Sequence, residues 1–508
     1  MMGKKEETQG KLFYTNICIE KRVPDNHILR KVKELIDFDF VYDEVEDKYG
    51  YNGNVSVPPP VILKLIFILI SNNVRSEREL MAILPSRLDW LWFLGYDLDD
   101  EVPDHSVLSK ARKRWGVGPF KGFFMRVVLQ CVEAGLISGD KIFLDSSLVD
   151  ANASNNSVVD VKSLKRYLNK SYRELESRLE DTEPDNAVVK KSGESNRRYI
   201  STTDPDASVV RRGKGKSKLQ YQIHRAVDVG YEVITATEVT PGEVNEAHRM
   251  KYLMDSHHVN TGRSAEVVVA DSKYGTVENY LACYDWGVRA HFSSLEETQR
   301  GKGRQEGIFH KEMFTYNDKD DTFTCPAGQV LKKRSYKKKR QHYEYAALAE
   351  ACNGCHLKEE CTRSKTGRTL KRHVRQEELD LVLEQAKGRR AREDIKTRQH
   401  LMERSFARAS RYGFDQARWR GNDKVSIQEY LTSTIQNIMI IIRHGKKPSP
   451  VLGMIQGKTG NEPRITGYRE QYRLYREETW EEKPLFPFIV YFSNIFGKIF
   501  GKFRLTPY

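Results

Sequence analysis

The constraint that most limits this chain is a change of period at Gly139. Before it, from residue 58 to about 136, apolar residues recur at helical spacing: Val61, Leu63, Leu65, Ile66 and Leu69, then Leu80, Leu84, Leu88, Leu91 and Trp92, then Phe120, Phe124, Val127, Val128, Cys131 and Val132. After it come short runs rich in Val and Ile, "KIFLDSSLVDA", "QYQIHRAVDV", "EVITATEVT" and "EVVVADSKYG", separated by turn signals such as Gly230 and Pro241-Gly242. Strands flanked by helices predict an α/β core behind a helical module. Beyond residue 425, Leu431, Ile435, Ile438 and Ile442 repeat by four, three and four, which predicts a helix packed on the sheet.

Two of these strands run directly into an acid. Asp145 follows Ile142, Phe143 and Leu144, and Asp271 follows Val267, Val268, Val269 and Ala270. A carboxylate in such a setting is costly unless it is hydrogen-bonded, paired, or placed beside a cation. Two carboxylates brought close repel each other and have their pKa values raised, unless divalent cations lie between them. Hard oxygen ligands with positions left open for phosphate oxygens suit magnesium or manganese.

At 508 residues the chain exceeds one compact core, and its 39% hydrophobic content is enough to fill several. The 84 Lys and Arg against 70 acids leave a formal charge of +14, which favours polyanionic partners. The opening "MMGKKEETQGKLFY" has charges and no apolar stretch. The run "PLFPFIVYFSNIFGKIFGKF" is interrupted by Pro487, Asn494, Gly497 and two lysines, so it predicts a docked helix or strand, with a membrane-surface segment as the alternative, rather than a membrane span. A cytoplasmic protein with no membrane partner is the expectation.

Three local patterns point to DNA or metal. "VPDHSVLSKARKRWG" predicts a helix with Lys110, Arg112, Lys113 and Arg114; after the shorter "SERELMAILP" it fits a helix-turn-helix with its basic side on DNA, or a solvated charged face. "KKRSYKKKR", residues 332–340, holds seven cations in nine positions and includes Lys337, Lys338, Lys339 and Arg340; it reads as a phosphate-binding run or a solvated loop. "YGFDQARWRG" sets Trp419 between Arg418 and Arg420, a pairing able to track a backbone or stack on a base. Of seven cysteines, Cys18, Cys131 and Cys283 are scattered, whereas Cys325 and "CNGCHLKEEC", with Cys352, Cys355 and Cys361, cluster. That cluster suits a structural zinc held by four thiolates, or four reduced thiols.

The order "LDSSLVDA", "VVVADSKYG" and "ERSFARASRYGFDQARWRG…KVSIQEYLTSTIQNI" resembles the DDE transposases of bacterial insertion sequences, whose catalytic core is RNase H-like. The segment "RSERELMAILPSRLDWLWFLGYDLDDEVPDHSVLSKARKRWG" is similar to their N-terminal domain, and together the likenesses cover most of residues 55–445. The resemblance implies catalytic and Mg2+- or Mn2+-binding roles for Asp145, Asp271 and Glu403, two metal ions per site, and cleavage and strand transfer of double-stranded DNA at terminal inverted repeats by an oligomer, in a nucleoid-associated protein. Many members carry a DNA-contacting lysine seven positions beyond the glutamate; here that position is Ser410, with Arg408 or Arg411 as substitutes. A metal nuclease of the same fold, or a DNA-binding regulator with an inactive site, is the alternative. The expected organisation is an N-terminal segment (1–57), a helical domain (58–138), an RNase H-like mixed sheet flanked by helices (139–291 and 395–445, with a polar insertion at 156–217), a basic Cys-rich insertion (292–394) and a C-terminal extension (446–508).

Overall fold

The computed structural model describes residues 18–50, 56–160, 199–211, 215–294, 298 and 307–445. Most of the polar insertion, with the helix expected at 161–179, and the whole C-terminal extension lie outside the described residues.

The first module is helical. It comprises α1 (Ile28–Leu35), α2 (Val41–Val45), α3 (Pro59–Ser71), α4 (Glu77–Ile83), α5 (Leu88–Leu94), α6 (Ser106–Trp115) and α7 (Gly118–Glu133). Helix α3 starts where Pro59 and Pro60 occupy the first turn, which needs no amide donor there, and its ten buried residues make it a core helix. Ser76 caps α4 by accepting from the Glu79 amide at 3.1 Å, and α5 stops at Gly95, whose φ of +85° a side chain would resist. Phe38, Phe40, Val41 and Val45 are buried as well, so part of the N-terminal segment completes this module. Helix α5 stands between α4 and α6, so the two helices expected to form a helix-turn-helix are not joined by a tight turn.

The second module is a six-stranded mixed sheet. Its strands are β1 (Lys141–Asp150), β2 (Ser208–Val210), β3 (Lys218–Asp228), β4 (Ile234–Pro241), β5 (Val267–Val269) and β6 (Arg289–His291). β1 lies between β3, to which it is antiparallel, and β5, to which it is parallel; β6 continues parallel beyond β5, and β2 and β4 both pair with the outer edge of β3. Helices α8 (Met250–Thr261) and α9 (Val277–Asp285) pack with α10 (Gln376–Ala386) in a core holding Ile142, Leu144, Met250, Leu253, Tyr280, Leu379 and Val382. On the other face lie α11 (Arg389–Ser410) and α12 (Asn422–His444). The predicted α12 positions Leu431, Ile435 and Ile438 are buried, and α12 is fastened by Arg225 of β3, which bonds Glu429 in a bidentate pair at 2.7 and 2.9 Å. Thr237 and Ser433 each donate to Glu429 at 2.7 Å, which compensates for placing this pair out of water.

Between β6 and α10 the chain forms a separate five-stranded antiparallel sheet, in the order β11 (Thr369–His373), β10 (His342–Ala346), β9 (Val330–Lys337), β8 (Thr322–Thr324), β7 (Thr315–Asn317). Phe314, Phe323, Leu331, Tyr345 and Leu370 form its small core, against which Cys325, Cys352 and Cys361 pack. Among the described residues no helix is long and apolar enough to cross a membrane.

Candidate active site

Strand register brings the two aspartates together. In the parallel pairing of β1 with β5, Phe143 lies opposite Val269. Two residues further along each strand stand Asp145 and Asp271, so both reach the carboxyl end of β5, where open α/β sheets leave a crevice for ligands. Asp145 is held in place: its Oδ1 accepts from the Ser146 amide at 2.8 Å, and its Oδ2 accepts from Arg398 Nη1 of α11 at 2.6 Å. Asp271 caps a single 3-10 turn, Ser272–Tyr274, by accepting from the Lys273 amide at 2.9 Å. The loop then turns tightly at Gly275, where an added Cβ would sit 2.3 Å from the Ser293 carbonyl, so only glycine fits.

A third carboxylate enters this neighbourhood from an element that sequence reasoning passed over. Glu246 heads the 3-10 turn Glu246–Arg249 that follows β4, and it is 4% exposed. The Ser146 hydroxyl donates to its Oε2, and Lys273 Nζ pairs with its Oε1 at 2.5 Å. The signal in the sequence was an acid shortly after a strand, as at Asp271, but four residues of turn separate it from β4. Tyr274 is fully buried, and its hydroxyl has no hydrogen-bond partner among the described residues.

The electrostatics follow from this crowding. Burial pushes the Asp145 carboxyl above the usual carboxylate range; Arg398 opposes that, while Asp271 and Glu246 reinforce it. Asp271 is raised by burial first and by the charge of Glu246 second. The Tyr274 phenol is raised far above its ordinary value by burial and then by Glu246, Asp145 and Asp271. These donors are hard oxygens, the kind that Mg2+ or Mn2+ takes, and such ions need only one or two carboxylates when water and phosphate oxygens complete the shell. Among the described residues no three His, Cys, Asp or Glu side chains already close around one point as a metal cage.

Glu403 lies on α11, the helix that also carries Arg398. It is exposed on α11 and accepts from Gln399 of the preceding turn at 3.3 Å. Arg398, five residues earlier and about 140° around the helix, is the α11 residue that reaches Asp145.

The expected DNA-contacting cations divide into two groups. Lys110, Lys113 and Arg114 are exposed on α6, but Arg112 is buried, ion-paired with Glu77 and stacked at 4.0 Å on the ring of Trp419. Arg418 bonds Asn73 and the Val74 carbonyl. Arg112, Arg418 and Trp419 thus fasten the helical module to the segment before α12. Arg408 pairs with Glu232 at 2.7 Å, while Arg411 and Arg420 are exposed, Arg420 donating to the Asn152 carbonyl at 2.9 Å. The 332–340 run is strand β9 and the turn after it rather than a loop, and two of its lysines have acidic partners: Lys333 with Asp321 at 2.8 Å and Lys337 with Glu344 at 3.4 Å. Lys338, Lys339 and Arg340 are exposed.

All four clustered cysteines are free thiols lining one pocket with Phe314, Leu331 and Arg368. Cys325 Sγ accepts from the Gln329 amide at 3.3 Å. Gly367, at φ +90°, approaches Cys352 so closely that a Cβ would lie 2.8 Å from its sulfur. The Cys361 thiol is raised by burial, with the other three cysteines adding to the shift.

Two family models match the chain: a transposase domain (DUF772) over residues 17–114, and a transposase DDE domain over residues 324–442. The first spans the helical module through most of α6, and the second spans strands β9, β10 and β11 of the Cys-rich sheet, α10, α11 and most of α12. No curated protein matches. Among solved structures, the cryo-EM structure of a piggyBac transposase synaptic complex with hairpin DNA aligns with 94% of this chain and 83% of its own, at 10% identity and a TM-score of 0.32.

Proposed function

We propose, for a chain that is a DDE transposase of the insertion-sequence type, that DNA is cut and joined at the carboxyl end of β5, with Asp145 and Asp271 holding divalent cations. The observation that carries this reading is the parallel register that sets the two acids side by side, both with raised pKa values. The central strand of a mixed sheet bearing the first acid supports the RNase H-like assignment of the core. Mg2+ or Mn2+ bound there would supply activation of the attacking oxygen and charge stabilisation on the leaving one. The chain's own residues do the rest: the Ser146 and Lys273 amides fix the two carboxylates, and Arg398 neutralises Asp145. Lys110, Lys113, Arg114, Lys338, Lys339 and Arg340 supply exposed charge for the DNA backbone.

The family resemblance assigns Glu403 to the same centre, on the helix whose Arg398 already touches Asp145. The thiols of Cys325, Cys352, Cys355 and Cys361 suit a structural Zn2+, since soft donors facing one pocket select that ion. The substrate is double-stranded DNA at the ends of the element and at the target, engaged by more than one copy of the chain.

The test is cleavage and strand transfer on end-sequence duplexes in Mn2+. Asp145→Asn and Asp271→Asn should each abolish both reactions and leave duplex binding nearly unchanged. Activity in either variant would remove that residue from the centre. Cleavage without joining, when pre-cut ends are supplied, would make the protein a nuclease.

A further inference from the structure

We propose that the β9–β10 hairpin of the Cys-rich sheet is a platform for an unpaired stretch of DNA, on which the Tyr336 ring stacks against a base while the cations of the turn hold the adjoining phosphates. The proposal rests on the reading of that turn as a DNA contact.

Strand register builds the platform. Tyr336 of β9 stands opposite Tyr343 of β10, which stands opposite Arg372 of β11, so the three share one face of the sheet. The rings of Tyr336 and Tyr343 pack with centroids 4.9 Å apart. The Lys333 ammonium lies 3.5 Å from the Tyr343 centroid and is itself fixed by Asp321 at 2.8 Å. Tyr343 is thus held in place behind Tyr336, which remains 46% exposed. A ring that is exposed yet braced loses little freedom when a base stacks on it. Ser335 and Lys337, the neighbours of Tyr336 along β9, alternate to the other face, where Glu344 accepts from Ser335 at 2.9 Å and pairs with Lys337 at 3.4 Å.

The turn supplies the charge. Gln341, at φ +47°, closes it, and the Gln341 carbonyl accepts from the Val374 amide at 2.9 Å. Lys338, Lys339 and Arg340 are exposed there, directly beyond the end of the strand that carries Tyr336. Cations alone fit a duplex, which keeps its bases stacked inside and offers phosphates to such a turn. A braced ring beside them adds a surface that an unpaired base covers, and stacking tolerates any base because each has a π-face. Trp419, flanked by arginines in the sequence, is not free for this part, since the Arg112 guanidinium covers its ring at 4.0 Å.

The experiment compares the affinity of the full-length protein for oligothymidylate, for an abasic strand of the same length and for random duplex. The unaltered protein should hold oligothymidylate about tenfold more tightly than the abasic strand, the scale of one base on an aromatic ring, and Tyr336→Ala should remove that difference and leave duplex affinity unchanged. Tyr336→Phe keeps the ring and should behave as the unaltered protein. Equal affinity of the unaltered protein for oligothymidylate and the abasic strand would overturn the platform without recourse to any variant. An undiminished preference in Tyr336→Ala would overturn it too, and an equal loss on duplex would make Tyr336 a structural residue. Replacing Lys338, Lys339 and Arg340 by Ala should weaken oligothymidylate and duplex alike. If it weakens neither, the turn is no DNA contact and the underlying reading falls; if it weakens both while Tyr336→Ala changes nothing, the platform alone falls.

Discussion

At the scale of single residues, the raised pKa values of Asp145 and Asp271 have a definite sign. For an acid, a folded-state value above the ordinary 3.8 means that the folded chain binds the proton more tightly than the unfolded chain does. Stability from these groups is therefore full at low pH and is lost as pH rises through the window between 3.8 and the raised value. Asp271 accepts from a backbone amide where Asp145 has the Arg398 guanidinium, so it should show this most clearly. Asp271→Asn should raise the melting temperature in chelator at pH 7 by ~2–4 °C, corresponding to relief of about 1 kcal/mol, and should gain nothing at pH 3. Mn2+ binding should fail on acidification above the ordinary carboxylate range, since the ligands must first lose their protons. A melting temperature unchanged by Asp271→Asn at pH 7 would mean that the acids do not repel. The two aspartates were legible in the sequence because an acid ending an apolar strand breaks a strong local pattern. Arg112 reads as one cation of a basic helix face and Arg418 as an arginine beside an aromatic, and neither pattern tells a side chain that faces DNA from one that joins two modules; the contacts with Glu77, Trp419, Asn73 and Val74 do.

At the scale of elements, α11 shows why a helix can be read while its working face cannot. Its charged sequence gives the helical span, but Arg398, Met402, Ser405 and Ala409 face the sheet, and Glu403 does not. Charge spacing does not tell which arginine side is buried, because a long cation can bury its stem as readily as it can extend into water. Arg398 acts as a built-in counter-ion for Asp145, so a cation bound at the pair would compete with it. Arg398→Met should lower stability in chelator by about 3 kcal/mol, the cost of leaving one member of a mostly buried pair alone, and should enlarge the rise in melting temperature produced by Mn2+. A smaller Mn2+ response than in the unaltered protein would show that Arg398 assists the cation instead. The Cys-rich sheet makes a parallel case. Its cysteines were legible from C-x-x-C spacing, but the approach of Gly367 to Cys352 was not, because it depends on a loop outside the motif. Purified protein should carry about one zinc per chain on the four-thiolate logic, and Cys352→Ser with Cys355→Ser should release it and lower the melting temperature. A zinc-free preparation with an unchanged melting curve would leave four reduced thiols packed against a small core.

At the scale of the whole molecule, the excess of positive charge is spread over three places that the sequence could not rank. Some of it is internal: Arg225, Arg112 and Arg398 are engaged by Glu429, Glu77 and Asp145. Some is matched across strands, as at Lys333 and Lys337. What remains for a polyanion is exposed charge such as Lys338, Lys339 and Arg340 in the turn after β9, with Lys110, Lys113 and Arg114 on α6. Cross-strand partners depend on a register that no local reading of "KKRSYKKKR" contains, so the run looked like seven equal cations. The structure makes them unequal, and salt dependence measures the inequality. Each phosphate that is no longer neutralised should reduce the slope of log affinity against log salt by about 0.9 on duplex DNA. Replacing Lys338, Lys339 and Arg340 together by Ala should therefore flatten the slope by roughly two to three if all three touch phosphate, whereas Lys333→Ala with Lys337→Ala should change it by less than about one, because those lysines already have carboxylate partners. The effect should be alike on element ends and on random duplex, since phosphate contacts fix position without reading bases. Asp145→Asn should alter the reaction and leave the slope where it was. An unchanged slope in the triple variant would move the DNA path off β9 and onto the α6 cations, where Lys110→Ala with Lys113→Ala would then have to flatten it.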